Sequence, residues 1–410
     1  MPDITRVRAD LLEVFQAGLA RVDGRACVKN LLQRVQGDVA LIAVGKAAQA
    51  MTLGAVDVLD DQIVDGLVIS KPGYLDAALL QTYGLRALEG GHPVPDAASL
   101  RAGDEMVGFI QSQPQDRQLL FLISGGASGL VEQLCEGVDL AQLQQINNWL
   151  LGSGLPINAM NRVRKSLSKI KGGGLISVVD GRPTRVLLIS DVPGDDPGVI
   201  GSGLLVPPGD SIDTLEDLHL PEWLKALLPL PVAAVSVSSE NIHIEIVASL
   251  RLAREAAAEK ARELGYAVTT QHAHLGGDVE VVGRRLAYEL KDAWPGLYIW
   301  GGEPTIRLPE KPGRGGRNQH LALTVAGSIA GNRSTFFLSA GTDGGDGPGS
   351  HAGALVDGAT VSRGSRASGL DYEKCLAQAD SGSFLEASGD LITTGPTGTN
   401  VMDLMLGIKL

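Results

Sequence analysis

Short runs that are apolar at nearly every position recur along this chain, and each is closed by small and polar residues. Val39–Val44 leads into Gly45-Lys46-Ala47, Gly66–Ile69 into Ser70-Lys71-Pro72-Gly73, and Leu119–Ile123 into Ser124-Gly125-Gly126-Ala127-Ser128. Val186–Ile189 is followed by Ser190-Asp191 and a Pro/Gly/Asp turn through Asp196. Leu297–Trp300 runs into Gly301-Gly302-Glu303, and Thr335–Ser339 into a loop that carries Asp343 and Asp346. Unbroken apolarity suits strands covered on both faces of a mainly parallel sheet. Ligands collect beyond the carboxyl ends of such strands, which is where the polar clusters fall.

Helical periodicity lies between the runs. Leu11, Leu12, Phe15 and Leu19 share one face of an N-terminal stretch, Asp3–Arg25, whose interspersed charges predict an amphipathic helix and not a leader peptide. Leu250–Leu264 reads as a helix stopped by Gly265; with Ile242–Val247 and Tyr266–Thr270 it predicts a strand–helix–strand unit. A further helix is expected over Gln319–Ala330, and Leu205–Pro231 reads as an irregular crossover. The pattern predicts an α/β protein of two domains, 1–240 and 241–410.

Composition narrows the picture. Glycine, at 53 of 410 residues, exceeds the usual share without any collagen period, so the excess belongs to turns and ligand loops. A formal net charge of −12 argues against a nucleic-acid partner. Cys27, Cys135 and Cys375 stand far apart with no CxxC pair, as expected of reduced thiols. No run approaches the length of a membrane span, and the expected setting is cytoplasmic, with no membrane partner; a homodimer stays open.

The strongest chemical signal is Gly301–Gln319, where a strand end, a glycine-rich loop and Arg314, Arg317 and Asn318 precede a helix start, a combination suited to an anion. Lys46 opens a helix whose dipole a lysine opposes, which favours a role on phosphate oxygens over a surface role. Its surroundings do not make a P-loop, since Ala40 and Ala47 stand where a glycine and a hydroxyl are needed. The Ser124–Ser128 turn can form a nest of amides for phosphate, or be a plain strand-to-helix turn. Arg162, Lys165 and Lys169 fall on one helical face, which suits an anion or a solvated surface equally. Asp191, at a strand end, and Asp195 beyond it offer oxygens for a magnesium ion. His272 and His274 lack a third ligand and read as an exposed strand end. Thr399, in Thr394–Asn400, reads as a helix cap before the apolar stretch Val401–Ile408, or as a further ligand edge. No GxGxxG follows a strand and no Gly-x-Ser-x-Gly is present, so dinucleotide-dependent and serine-hydrolase chemistry have little support.

Taken in order, Val44-Gly45-Lys46, Ser124-Gly125-Gly126, Asn161–Ser168 into Lys171–Gly174, Ser190–Asp195, Gly301–Glu303, Gly315–Gln319, Gly341–Pro348 and Thr394–Asn400 resemble the glycerate 2-kinases. These kinases were often labelled hydroxypyruvate reductases. The likeness is collinear over nearly the whole chain. It implies an N-terminal Rossmann-like three-layer parallel sheet, a C-terminal MOFRL domain and an active site in the interdomain cleft. It implies transfer of the γ-phosphoryl of ATP, with Mg²⁺, to the 2-hydroxyl of D-glycerate. Lys46, Asp191 and Arg317 then take the catalytic positions, with Arg317 on phosphate or on the glycerate carboxylate and Asp191 as base or metal ligand beside Asp195. Gly45, Ser124, Gly125, Gly126, Ser128, Lys165 and Thr399 would hold the nucleotide, and Arg162, Glu303, Asn318 and Asp343 the acceptor. Two departures stand out: Ser128-Gly129-Leu130 replaces the family's Ser-Ala-Leu, and Gly349–Ala352 replaces a segment that normally carries an acid. An NAD(P)-dependent reductase and a non-catalytic nucleotide- or sugar-acid-binding regulator are the rival readings.

Overall fold

The computed structural model describes residues 3–155, 157–207, 215, 217–228 and 239–410. The expected crossover at 205–231 lies partly outside them. Two compact units are present, Gly24–Val247 and a second made of Met1–Asp23 with Ala248–Leu410.

In the first unit the strands are β1 (Val39–Val44), β2 (Ile63–Ser70), β3 (Arg86–Glu89), β4 (Gln118–Ile123), β5 (Thr184–Ile189) and β6 (Ile242–Ala248). They form one sheet in the order β3-β2-β1-β4-β5-β6. The ladders β2–β3, β1–β2, β1–β4 and β4–β5 are parallel. Every residue of β1 is buried, as its unbroken apolar run requires. This is the doubly wound order, in which the chain departs in opposite directions from β1 and β4 and leaves a crevice at their carboxyl ends. Register puts Val44 level with Ile69 and Ile123, so the polar clusters after β1, β2 and β4 share one edge.

The second unit holds β7 (Val268–Leu275), β8 (Gly296–Gly302), β9 (Thr335–Gly341), β10 (Gly353–Asp357), β11 (Leu391–Ile392) and β12 (Asp403–Lys409) in the order β11-β10-β9-β12-β8-β7. Only β7–β8 is parallel; the other ladders are antiparallel. The expected mainly parallel sheet is therefore confined to the first unit. An apolar run shows that both faces are covered and is silent on direction. Because β8 and β9 both run against β12, they run alike. The first residue of β12, Asp403, lies level with Gly302 on one side and Gly341 on the other.

Three expectations change. The N-terminal helix, Ile4–Arg21, buries Val7, Leu11, Val14 and Phe15 in the core of the second unit, so the first 23 residues group with the C-terminal half and not with residues 24–240. The helix Leu250–Glu263 forms as predicted, but β6 before it and β7 after it belong to different sheets, so no strand–helix–strand unit exists there. The terminal apolar stretch is strand β12, which leaves Thr399 no helix to cap.

Candidate functional site

At the carboxyl edge of the first unit, the turn after β1 is locked to the turn after β4. Lys46 N donates to the Gly125 carbonyl at 2.9 Å and Ala47 N to Ser124 Oγ at 3.0 Å. Gly45 has φ +133°, and a Cβ there would lie 2.2 Å from Ser124 Oγ, so only glycine lets the two turns meet. A Cβ on Gly126 would sit 3.0 Å from His92 Nε2, so the missing side chain makes room for the imidazole, and Lys46 Cγ lies 3.5 Å from the same point, in ordinary contact range. Beside this turn opens a cavity of about 430 Å³. Its walls include His92, Gly126, Ser128, Asn161, Arg164 and Asp191. Ser128 and Ser202 hydroxyls meet across one wall at 2.7 Å.

Two cations line this cavity in different states. Lys171 is buried and paired at 2.5 Å with Glu132, whose other oxygen accepts from Ser168 Oγ at 2.5 Å. Removal of either partner would strand a buried charge, so the pair fixes the wall. Arg164 is held by neutral groups only: Nε donates to Asn147 Oδ1 at 2.9 Å and Nη1 to Asn161 Oδ1 at 3.3 Å. Burial pulls its pKa below the ordinary guanidinium value.

The corresponding edge of the second unit is built around Arg317, the first residue of the helix Arg317–Ser328. Its Nε and Nη2 grip the Asp403 carboxylate at 2.7 and 3.0 Å, and Nη1 meets Glu303 at 2.8 Å. Burial alone would lower its pKa; the Asp403 and Glu303 charges hold it above the usual value. The helix start is also occupied, because Asp346 accepts from the amides of Asn318 at 2.9 Å and Gln319 at 2.8 Å. Burial pushes the Asp346 carboxyl up to about 7 against the pull of those amides, and Asp403 adds to the rise.

The comparisons with known proteins agree along the length of the chain. A family model described as a domain of unknown function (DUF4147) matches residues 10–235, and the MOFRL family model matches 296–403. The D-glycerate 2-kinase of Thermotoga maritima is 33% identical over 97% of both chains. The glycerate 2-kinase of Pyrococcus horikoshii is 32% identical over 94% of this chain and 90% of its own. A crystal structure of glycerate kinase from Thermotoga maritima superposes with a TM-score of 0.84 at 32% identity, covering 99% of this chain and 100% of that one. The chain belongs to the glycerate 2-kinase family.

The residues expected to serve a glycerate 2-kinase fare unequally. Gly45, Lys46, Gly126, Ser128 and Asp191 gather at the carboxyl edge of the first sheet as expected. Gly125 joins them through its carbonyl. Ser124 is fully buried and acts as a brace for Ala47, which withdraws its hydroxyl from any ligand. Asp195 sits in the next turn and does not line the cavity. The face shared by Arg162, Lys165 and Lys169 does not form, because the helix Ile157–Ser166 ends before Lys169. Arg162 instead makes a bidentate pair with Asp217, and Lys165 Nζ donates to the Gly198 carbonyl. In the second unit Asn318 is 1% exposed and spans Ser339 and Asp346, so it stiffens the helix start and does not face a ligand. Glu303 remains exposed, and Asp343 caps its own turn by accepting from Gly345 N at 3.0 Å. Thr399 is buried and its Oγ1 has no partner among the described residues.

The sequence reading placed Arg164 and Asn161 in the basic stretch 158–174 without giving either a role, and it passed over Asp403. The first two stand three residues apart, the spacing at which helical neighbours touch. Asp403 is the lone acid in the terminal apolar run. Both signals were available. His272 and His274 lie exposed on β7, and no group of three metal-ligating side chains occurs among the described residues. No helix there is long and apolar enough to cross a membrane.

Proposed function

We propose that this chain transfers the γ-phosphoryl of ATP to the 2-hydroxyl of D-glycerate, releasing 2-phosphoglycerate and ADP. The observation that carries the reading is Asp191, set by β5 into a small cavity at the carboxyl edge of a doubly wound sheet, with Lys46 rooted beside the same Gly126 turn. Phosphoryl transfer asks a protein mainly for alignment and charge neutralisation. Lys46 would neutralise phosphate oxygens, while Asp191 would take the proton of the 2-hydroxyl or bind the metal. Mg²⁺ takes one or two carboxylates and completes its shell with phosphate and water. Asp191 suits that need, and a site with no three-ligand cluster among the described residues fits an ion held largely by phosphate. When bound, the ion would neutralise charge on the nucleotide tail.

The strand order is also that of dinucleotide-binding folds. A hydroxypyruvate reductase would place the cofactor's pyrophosphate on the amides after β1. Those of Lys46, Ala47 and Ala48 are already bonded to Gly125, Ser124 and Gly45. The kinase reading is therefore preferred. Its test is ADP release with D-glycerate and phosphorus NMR of the product. Lys46→Ala and Asp191→Asn should each lower turnover by at least about 100-fold, about 3 kcal/mol of transition-state stabilisation. Turnover near the parent level in the Lys46 and Asp191 variants would overturn the assignment.

A further inference from the structure

We propose that Arg164, presented by Asn147 and Asn161, clamps the carboxylate of the 2-hydroxy acid acceptor and so selects acids over neutral polyols. This rests on the kinase reading and gives the acceptor a specific anchor.

Arg164 is half-buried, and a guanidinium drawn partly out of water is commonly matched by a carboxylate. No carboxylate of the described residues is within salt-bridge reach of Arg164, and its two partners are amide oxygens. Glu132, which lines the same cavity, is committed to Lys171 and Ser168. The amides take Nε and one hydrogen of Nη1, which leaves Nη2 and the rest of the fork for a planar anion. Held in this way the side chain loses little further rotamer freedom when it binds.

The occupant follows from what shares the cavity. Asp191 lines it, and the hydroxyl to be phosphorylated sits on the carbon next to the acceptor's carboxylate. A chamber that receives the hydroxyl must therefore receive the carboxylate as well. At about 430 Å³ the cavity has ample room for a three-carbon acid. The nucleotide tail is left to Lys46 at the Gly126 turn.

The experiment combines calorimetry of D-glycerate binding without nucleotide and steady-state ADP release, on the full chain and on Arg164→Gln and Arg164→Lys. Arg164→Gln should weaken D-glycerate binding and raise its KM by about 100-fold, with the KM for ATP moved less than about twofold. Arg164→Lys keeps the charge without the fork and should lose about tenfold. Glycerol, which lacks the carboxylate, should respond equally poorly with all three proteins. Melting curves near the parent's show that a variant is folded, and added guanidinium should restore part of the glycerate response to Arg164→Gln. Unchanged glycerate binding in Arg164→Gln overturns the clamp. So does a rise confined to the ATP KM, which would place Arg164 on phosphate, or a parent protein that binds no glycerate. Failure of the parent to release ADP while it still binds glycerate through Arg164 would sink the kinase reading and leave the clamp standing.

Discussion

Two arginines, each at the edge of its own sheet, hold opposite electrostatic positions. Arg317 is matched by Asp403 and Glu303, with Asp346 adding to the field, so its fork is spent inside the protein. Arg164 has two neutral amide oxygens and no acid. The residue type is the same, and the availability to an incoming anion differs. A motif scan ranks arginines by sequence company, whereas their chemistry is decided by which carboxylates the sheet brings alongside. The Arg317 neighbourhood reads as basic along the chain and is acidic in space.

The comparison is broken most directly at Asp403. Loss of one partner from a buried pair costs about 3–5 kcal/mol. Arg317 keeps 34% of its side chain in solvent while Asp403 keeps 1%, so Asp403→Ala should cost rather less, about 2–3 kcal/mol, measured by denaturant unfolding. Asn147→Ala leaves Arg164 charged and still bonded to Asn161, and should cost about 1 kcal/mol. Equal costs at the two sites would show that Arg317 is not dependent on its acids.

Asp346 extends the contrast to pH. Its carboxyl is raised from 3.8 to about 7 in the folded protein, so the native state binds that proton more tightly than the unfolded chain. The stability it contributes is complete below about pH 4 and is lost as pH rises towards 7. Asp346→Asn should therefore flatten the fall in melting temperature across that window. Parallel profiles for parent and variant would count against the raised value.

The first unit can be made to imitate the second. Asn147→Asp places a carboxylate where Arg164 now meets an amide oxygen at 2.9 Å. The internal acid should compete with the acceptor and raise the KM for D-glycerate about tenfold, with little loss of fold stability. An unchanged KM would mean that the Nε side of the fork is irrelevant to acceptor binding.

These contrasts also mark what the chain discloses along its length. Strands β1, β4, β5, β8 and β9 and the helices 4–21 and 250–263 fall where periodicity puts them, because burial on both faces or on one leaves a direct trace in residue type. Partner and direction leave none. The first helix joins the second unit through Val7, Leu11, Val14 and Phe15, which would suit any apolar surface equally well. β12 runs against β8 and β9, although its Leu and Met residues would serve a parallel strand too. Lys46 and Asp191 fall at the carboxyl edge of the first sheet, as their place directly after buried strands predicts. Arg164 received no role of its own because the helical face was drawn through Arg162, Lys165 and Lys169, although the helix ends at Ser166.

The smallest expected effect sharpens the contrast at its weaker bond. Glu303 meets Arg317 at 2.8 Å but keeps 47% of its side chain exposed, so the pair is screened by solvent. Glu303→Gln should shift stability by less than about 1 kcal/mol. Asp403 would still orient the guanidinium through Nε and Nη2, while Nη1 would lose its anion. If Arg317 contributes to nucleotide binding by exchanging Glu303 for a phosphate oxygen, the variant should bind ATP slightly more tightly, by about two- to threefold at low salt, and the gain should fade as salt is raised. A weaker ATP affinity would instead assign Glu303 a direct part in holding the ligand or its metal, and Arg317 would then be a fixed strut between two acids.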